Sequence, residues 1–286
     1  MRVAYFTAGS HGAGHLVRGV ALWRALCRRR ADVPFRLFAP ASAFDHVAAP
    51  VHEPIVVDAA ELRDPATARS SRLAAQLRAF APDVLVVDLF WVPLAFVPLP
   101  CPVWLLLRSV PPFWLVGPKE ARFDERRYQR VLAIEPAPGL ERFEAIPPIV
   151  VSNADEHRTR DELCAALDAD PSRPLHLVAT AGLPTDEATL KAVAPAPGAQ
   201  VRVLQLASPT LPFPLAPWLA ALGPHDRLIA APGYNTYWEA QWLGFAKQVT
   251  WVPIKRVFDD AAWRASATLS SFTENGADWL ARQLLG

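Results

Sequence analysis

The chain opens on an apolar run, Val3-Ala4-Tyr5-Phe6-Thr7, then a glycine-rich stretch, then apolar residues Leu16, Val20, Leu22, Trp23 and Leu26 at helical spacing. This predicts a strand over 3–7 and a helix over 13–29. The alternation continues with strands at 35–39, 55–57, 84–88, 103–107 and 131–134, and a helix over 67–80. Residues 84–88 are almost purely apolar, as a strand covered on both faces should be. Strands alternating with helices imply a parallel sheet with helices on both sides.

The second half repeats the pattern. Strands are expected at 149–151, 176–180, 201–204, 228–231 and 249–252. Helices are expected at 160–167, 185–193, 217–222, 234–243, 259–265 and 277–285. Pro147 and Pro148 interrupt regular structure between the halves. The expected class is α/β, with two Rossmann-like domains, 1–148 and 149–286, facing a central cleft. The C-terminal helix is assigned to the second domain. Ligands in such sheets bind at the carboxyl ends of the strands.

Residues 89–107 carry no charge and are long enough to span a bilayer. Pro93, Pro98, Pro100 and Pro102 prevent a regular helix there, so an irregular loop and a buried strand are expected. The Trp and Phe residues of this stretch leave peripheral membrane contact open. The start of the chain reads as a strand and loop, not a signal peptide.

Composition narrows the function. Of 286 residues, 52% are hydrophobic and 20% charged, so the chain can bury a substantial core. The net charge is +1 and no long basic stripe is present, which argues against a nucleic-acid partner. Arg28, Arg29 and Arg30 cluster at the end of a helix, where cations complement its dipole. Cys27, Cys101 and Cys164 form no metal-ligand spacing and read as reduced thiols of a cytoplasmic protein.

Two segments carry candidate chemistry. The first is Gly9-Ser10-His11-Gly12-Ala13-Gly14-His15-Leu16-Val17-Arg18, between a strand and a helix. Its glycines admit a ligand close to the backbone, and the helix start favours an anion. The spacing is not GxGxxG and no acidic residue ends the second strand, so a dinucleotide site is disfavoured. His15, kept neutral near a helix N-terminus, can accept a proton, or it can simply cap or pack locally. Arg18, one turn on, can support an anion or be solvated. The second segment is Pro232-Gly233-Tyr234-Asn235-Thr236-Tyr237-Trp238-Glu239. Small residues and a hydroxyl at a helix start suit a diphosphate. Glu239 can accept hydrogen bonds from both hydroxyls of a ribose. Equally, Thr236 and Glu239 have the spacing of a capping box. Asp259 and Asp260 can cap the next helix or bind sugar hydroxyls.

Together, Gly12-x-Gly14-His15-x-x-Arg18 and Gly233-Tyr234-Asn235-Thr236-x-x-Glu239, followed by Leu243-Gly244, Pro253 and Arg264-Ala265, resemble the two halves of GT-B nucleotide-sugar enzymes. The form is similar to the glycosyltransferases related to the peptidoglycan UDP-N-acetylglucosamine transferase (family 28-like). It also resembles the UDP-sugar hydrolase of pseudaminic acid biosynthesis. The resemblance implies a metal-independent, inverting hexosyltransferase without a cofactor, using a UDP-linked donor and an acceptor the sequence does not name. It implies His15 as general base. The donor would lie against Gly12, Gly14, Arg18, Gly182, Gly233, Tyr234, Asn235, Thr236 and Asp260, with Glu239 on the ribose. The family's Glu-Gln pair is here Asp260-Ala261, so the glutamine is absent. Hydrolysis of the donor, and binding without turnover, are the two alternative readings. The sequence does not fix the oligomeric state.

Overall fold

The computed structural model describes residues 1–9, 14–41, 47, 51–99, 101–119, 121–180, 184–205, 211–254, 263–264 and 272–286. They form two compact units, Met1–Ile149 with Glu274–Gly286, and Val150–Thr273.

The first unit holds a seven-stranded parallel sheet. Its strands are β1 (Val3–Phe6), β2 (Phe35–Pro40), β3 (His52–Ile55), β4 (Val84–Asp88), β5 (Val103–Leu107), β6 (Arg130–Ala133) and β7 (Glu144–Ala145), in the order β3-β2-β1-β4-β5-β6-β7. β1 lies between β2 and β4, with Val3 level with both Phe35 and Val84. The central strands β1, β4 and β5 are buried along their whole length, as their apolar sequences require.

Helix α1 (Gly14–Arg29) follows β1 and lies unusually close to the sheet. A Cβ on Gly19 would come within 2.6 Å of Leu37 Cδ1 and 3.0 Å of Tyr5 Cδ1, so any larger residue would displace these buried side chains. The approach holds the first turns of α1, with His15 and Arg18, against the sheet.

The helix expected over 67–80 is two helices with a third before them: α2 (Ala59–Arg63), α3 (Pro65–Ser70) and α4 (Arg72–Phe80). Ser71 ends α3 and begins α4, its hydroxyl accepting from Ala74 N at 3.1 Å. A serine that satisfies the orphan N–H groups of a new helix competes with continuing the old one. The expected strand at 149–151 is absent, although Ile149, Val150 and Val151 are buried. An apolar run of three reports burial, not pairing. The edge strand β3 ends before Val56, which is 57% exposed.

The second unit holds a four-stranded parallel sheet, order β11-β10-β8-β9, of β8 (Leu175–Thr180), β9 (Gln200–Gln205), β10 (Arg227–Ala230) and β11 (Val249–Trp251). Its helices are α5 (Arg160–Ala166), α6 (Pro184–Lys191), α7 (Ala216–Leu219) and α8 (Tyr234–Trp242). The helix expected over 259–265 falls mostly outside the described residues; 263 and 264 are helical.

The C-terminal helix, α9 (Gly276–Leu285), requires a correction to the 149–286 boundary: it belongs to the first unit. Its stripe of Ala277, Leu280, Ala281 and Leu284 is buried, and it packs on α1. Arg28 Nη2 reaches Asp278 Oδ1 at 2.8 Å, and Arg130 stacks over Trp279. An amphipathic helix goes wherever an apolar face needs covering, which proximity in sequence does not reveal. No described helix is long and apolar enough to cross a membrane, and the described residues of 89–107 hold bends, a single 3-10 turn at Val92–Leu94, and β5.

Candidate active site

From β1 the chain runs outward to β2 and β3, then returns to the other side of β1 to form β4. The carboxyl ends of β1 and β4 therefore flank the topological switch point, the usual crevice for a ligand in such a sheet. The loop after β1 leads to His15 in the first turn of α1. Asp88 is the last residue of β4.

These ends meet in a buried cluster. Asp88 accepts from Tyr5 Oη at 2.6 Å and from Arg18 Nε at 2.9 Å on Oδ2, and from Arg18 Nη2 at 3.1 Å on Oδ1. The Arg18–Asp88 pair is thus two-pronged, the strongest geometry for such ions. His15 Nδ1 lies 3.2 Å from Asp88 Oδ2 and 2.7 Å from Arg18 Nη2. Burial disfavours charge on Asp88, but the neighbouring Arg18 and His15 outweigh it and hold the carboxyl well below the usual carboxylate range. Burial lowers the His15 pKa to about 4, with Asp88 opposing the shift and Arg18 adding to it. The imidazole is therefore neutral near pH 7. A guanidinium only donates, so two tautomers fit: a proton on Nδ1 is shared with Asp88 and leaves Nε2 as a lone-pair base, or Nδ1 accepts from Arg18.

Spacing alone places Arg18 on an anion or in solvent. In the fold its side chain is 2% exposed and grips Asp88 instead. Asp88 itself is legible in the sequence only as the end of a strand. Its signal is a lone acid closing the run Val84-Leu85-Val86-Val87 at a carboxyl edge.

Beyond Asp88, Leu89 takes a left-handed conformation with φ 66°, strained for a leucine. This turn brings the Phe90 ring edge-on to the His15 imidazole, centroids 4.9 Å apart. A Cβ on Gly9 would lie 3.0 Å from His15 Cδ2 and 3.1 Å from Phe90 Cε2, so that glycine gives both rings room.

In the second unit the order β11-β10-β8-β9 puts the switch point between β8 and β10. The turn after β10 is Ala231-Pro232-Gly233. Gly233 is the N-cap of α8 (φ −64°, ψ 151°) and offers no side-chain cap. Thr236 is consequently inside the helix, and the capping-box alternative for Thr236 and Glu239 is excluded. Tyr234 is buried and Asn235 and Thr236 follow it in the first turn. Glu239 is buried, which raises its pKa to about 8, partly offset by the backbone N–H of Val151. Arg264, 1% exposed, donates to Pro232 O at 3.1 Å and lies over the Tyr234 ring, bracing the turn into α8. Of the other expected donor contacts, Gly14 is the first residue of α1, while Gly12, Gly182 and Asp260 lie outside the described residues.

No family model and no curated protein sequence matches the chain. Solved structures do. SsfS6, a glycosyltransferase of Streptomyces sp. SF2575, superposes with a TM-score of 0.54 at 16% identity, covering 92% of this chain and 83% of its own. VinC, a glycosyltransferase solved in complex with dTDP, gives 0.52 at 16% identity, covering 99% and 90%. The spinosyn forosaminyltransferase SpnP gives 0.50 at 17% identity, covering 84% and 78%. What is shared at these identities is the fold: two α/β units with parallel sheets, the GT-B type of glycosyltransferases.

Proposed function

We propose that the chain transfers a sugar from a nucleoside diphosphate sugar to a hydroxyl-bearing acceptor. The observation that carries the reading is the His15–Asp88 pair at the switch point of the first sheet, in a fold shared with sugar transferases. VinC was solved with a nucleoside diphosphate, which supports that class of donor here.

With its proton on Nδ1 toward Asp88, His15 has a lone pair on Nε2. That atom takes the acceptor hydroxyl's proton while the oxygen attacks the anomeric carbon. The carbon–oxygen bond to the diphosphate breaks, the diphosphate keeps the electron pair, and the anomeric configuration inverts. The proton stays on the imidazole beside the Asp88 carboxylate. Tyr5 and Arg18 are positioning residues that fix Asp88. The first turn of α8, Gly233 to Thr236, meets the diphosphate, where a helix start favours an anion. Glu239 takes the ribose hydroxyls. Gly12, Gly14, Gly182 and Asp260 are the remaining donor contacts of this reading. No step requires a metal.

His15→Ala is expected to lower turnover by about 10²–10⁴-fold with little change in nucleotide affinity. Unchanged turnover would remove His15 from the chemistry. Glu239→Ala is expected to weaken nucleotide binding by about 10–100-fold, the loss of the two hydrogen bonds between its carboxyl and the ribose hydroxyls. Thermal stabilisation by a panel of uridine and thymidine diphosphates, with and without sugars, reads that affinity. Release of free sugar at the same rate with and without acceptor would instead make the chain a hydrolase. Binding with no turnover would make it a sugar-nucleotide receptor.

A further inference from the structure

The first unit contains a cavity of about 620 Å³ lined by none of the residues assigned above to the base or the donor. This is within the size range of small-molecule sites. It is walled by Val57 and Leu62 on one side, by Phe90 and Val92 after β4, and by Trp114 and Val116 beyond β5. Phe90 is the shared wall: its ring packs on His15 at 4.9 Å and, edge-on, on Trp114 at 5.6 Å. A molecule in the cavity therefore lies one ring away from the candidate base.

The walls are built rather than incidental. Trp91 Nε1 donates to Trp114 O and Trp114 Nε1 donates to Leu89 O, both at 3.2 Å, which ties the two aromatic segments together. Gly117 closes the turn with φ 78°, where a Cβ would lie 2.3 Å from Ala121 O and 2.5 Å from Trp91 Cη2. At the rim, Phe113 and Val116 are 57% and 64% exposed, large apolar side chains left facing water. Arg63 is the one charged residue of the lining among the described residues. It is exposed. With the Trp114 indole N–H already donating to Leu89, a sugar or peptide here would lose hydrogen bonds to water without replacing them. An apolar ring system loses none.

We propose that this cavity holds the acceptor, and that the acceptor is a predominantly apolar, ring-bearing small molecule with its hydroxyl toward His15 and any acidic substituent toward Arg63. The proposal rests on the transfer reading for the word acceptor; the binding itself does not. The test uses N-phenyl-1-naphthylamine, an uncharged apolar dye that fluoresces on leaving water, and its anionic relative 1-anilinonaphthalene-8-sulfonate, on the full chain. Val92→Glu and Val57→Glu place a carboxylate in the cavity from two half-buried positions on different walls, and circular dichroism checks that both variants keep the fold. Expected are one dye per chain, at least tenfold weaker binding in either variant, no change in Glu239→Ala, and a severalfold loss for the anionic dye alone in Arg63→Glu. Apolar ring alcohols should displace the dye and consume donor, and free monosaccharides should do neither. No dye capture by the folded wild type, or equal capture by both cavity variants, overturns the proposal. So does sedimentation with phosphatidylglycerol vesicles that Phe113→Ser abolishes while the soluble dye is ignored, which assigns the rim to a membrane surface. Dye binding as expected with no donor consumed under any acceptor sinks the transfer reading and leaves the apolar site standing. Donor consumed with monosaccharides and no dye captured sinks the pocket alone.

Discussion

Asp88→Asn should lower turnover by roughly 10³–10⁴-fold while leaving nucleotide affinity within about twofold, the order of loss seen when the acid behind a catalytic histidine becomes an amide. The reason lies in the geometry. Asp88 accepts from Tyr5 and twice from Arg18 and faces His15 Nδ1 at 3.2 Å. The amide keeps the size but removes the charge. It no longer compensates the proton arriving on His15, and its NH₂ group donates where a carboxylate oxygen accepted, leaving one oxygen for Tyr5, Arg18 and Nδ1–H. The His15 pKa, already about 4 because of burial, falls further once the opposing charge is gone. Wild-type kcat/KM should keep its acid limb near pH 4, not near the ordinary histidine value. A stability cost accompanies the substitution, because Arg18 is left buried without its counter-ion; breaking such a pair costs about 3–5 kcal/mol. Turnover and chemical unfolding measured together separate the effects: His15→Ala, which spares the ion pair, should lose activity with a smaller loss of stability. Full activity in Asp88→Asn would sink the dyad.

Glu239→Gln should make the ligand-free chain more stable at high pH and hardly change it at low pH. The Glu239 carboxyl has a pKa of about 8 in the folded chain because burial penalises its charge, against 4.5 ordinarily. Between those values the folded chain holds a proton that the unfolded chain has released. Stability therefore falls as pH rises from 4.5 and levels off above about 8. Glutamine does not titrate and escapes the loss. The variant should exceed the wild type by less than about 1 kcal/mol at pH 5 and by roughly 5 kcal/mol at pH 9, since each tenfold change in proton affinity is worth about 1.4 kcal/mol. Urea unfolding at the two pH values measures the difference, and a pH-independent difference would place Glu239 in an ordinary surface environment. A carboxyl that destabilises its own fold near neutrality is the kind of strain expected at a binding site.

The alternation of apolar strands and amphipathic helices is enough to place β4 and β5 to the residue, and to find α1 and α8 within a residue or two. These are long or fully buried segments whose periodicity is unambiguous. Two-residue β7 and the break at Ser71 are not legible, because one depends on an edge partner and the other on a side chain choosing between two hydrogen-bonding roles. The motif residues His15, Gly233 and Glu239 stand out through spacing, yet each has a bland local explanation. For Thr236 and Glu239 the structure removes it, since α8 starts at Tyr234.

What the sequence determined by itself is the class of fold and the stretches where chemistry could sit, because burial periodicity and glycine placement are properties of neighbouring residues. Only the tertiary structure brought Asp88 to Arg18 and Tyr5, partners 70 and 83 residues away. Only it folded α9 back onto α1 and enclosed the apolar cavity beside Phe90. Periodicity tells which face of a strand is buried but not which strand lies next to it. That pairing comes from the chain crossing back over β1, and the crossing makes an acid at the end of one strand the partner of a histidine at the start of a helix.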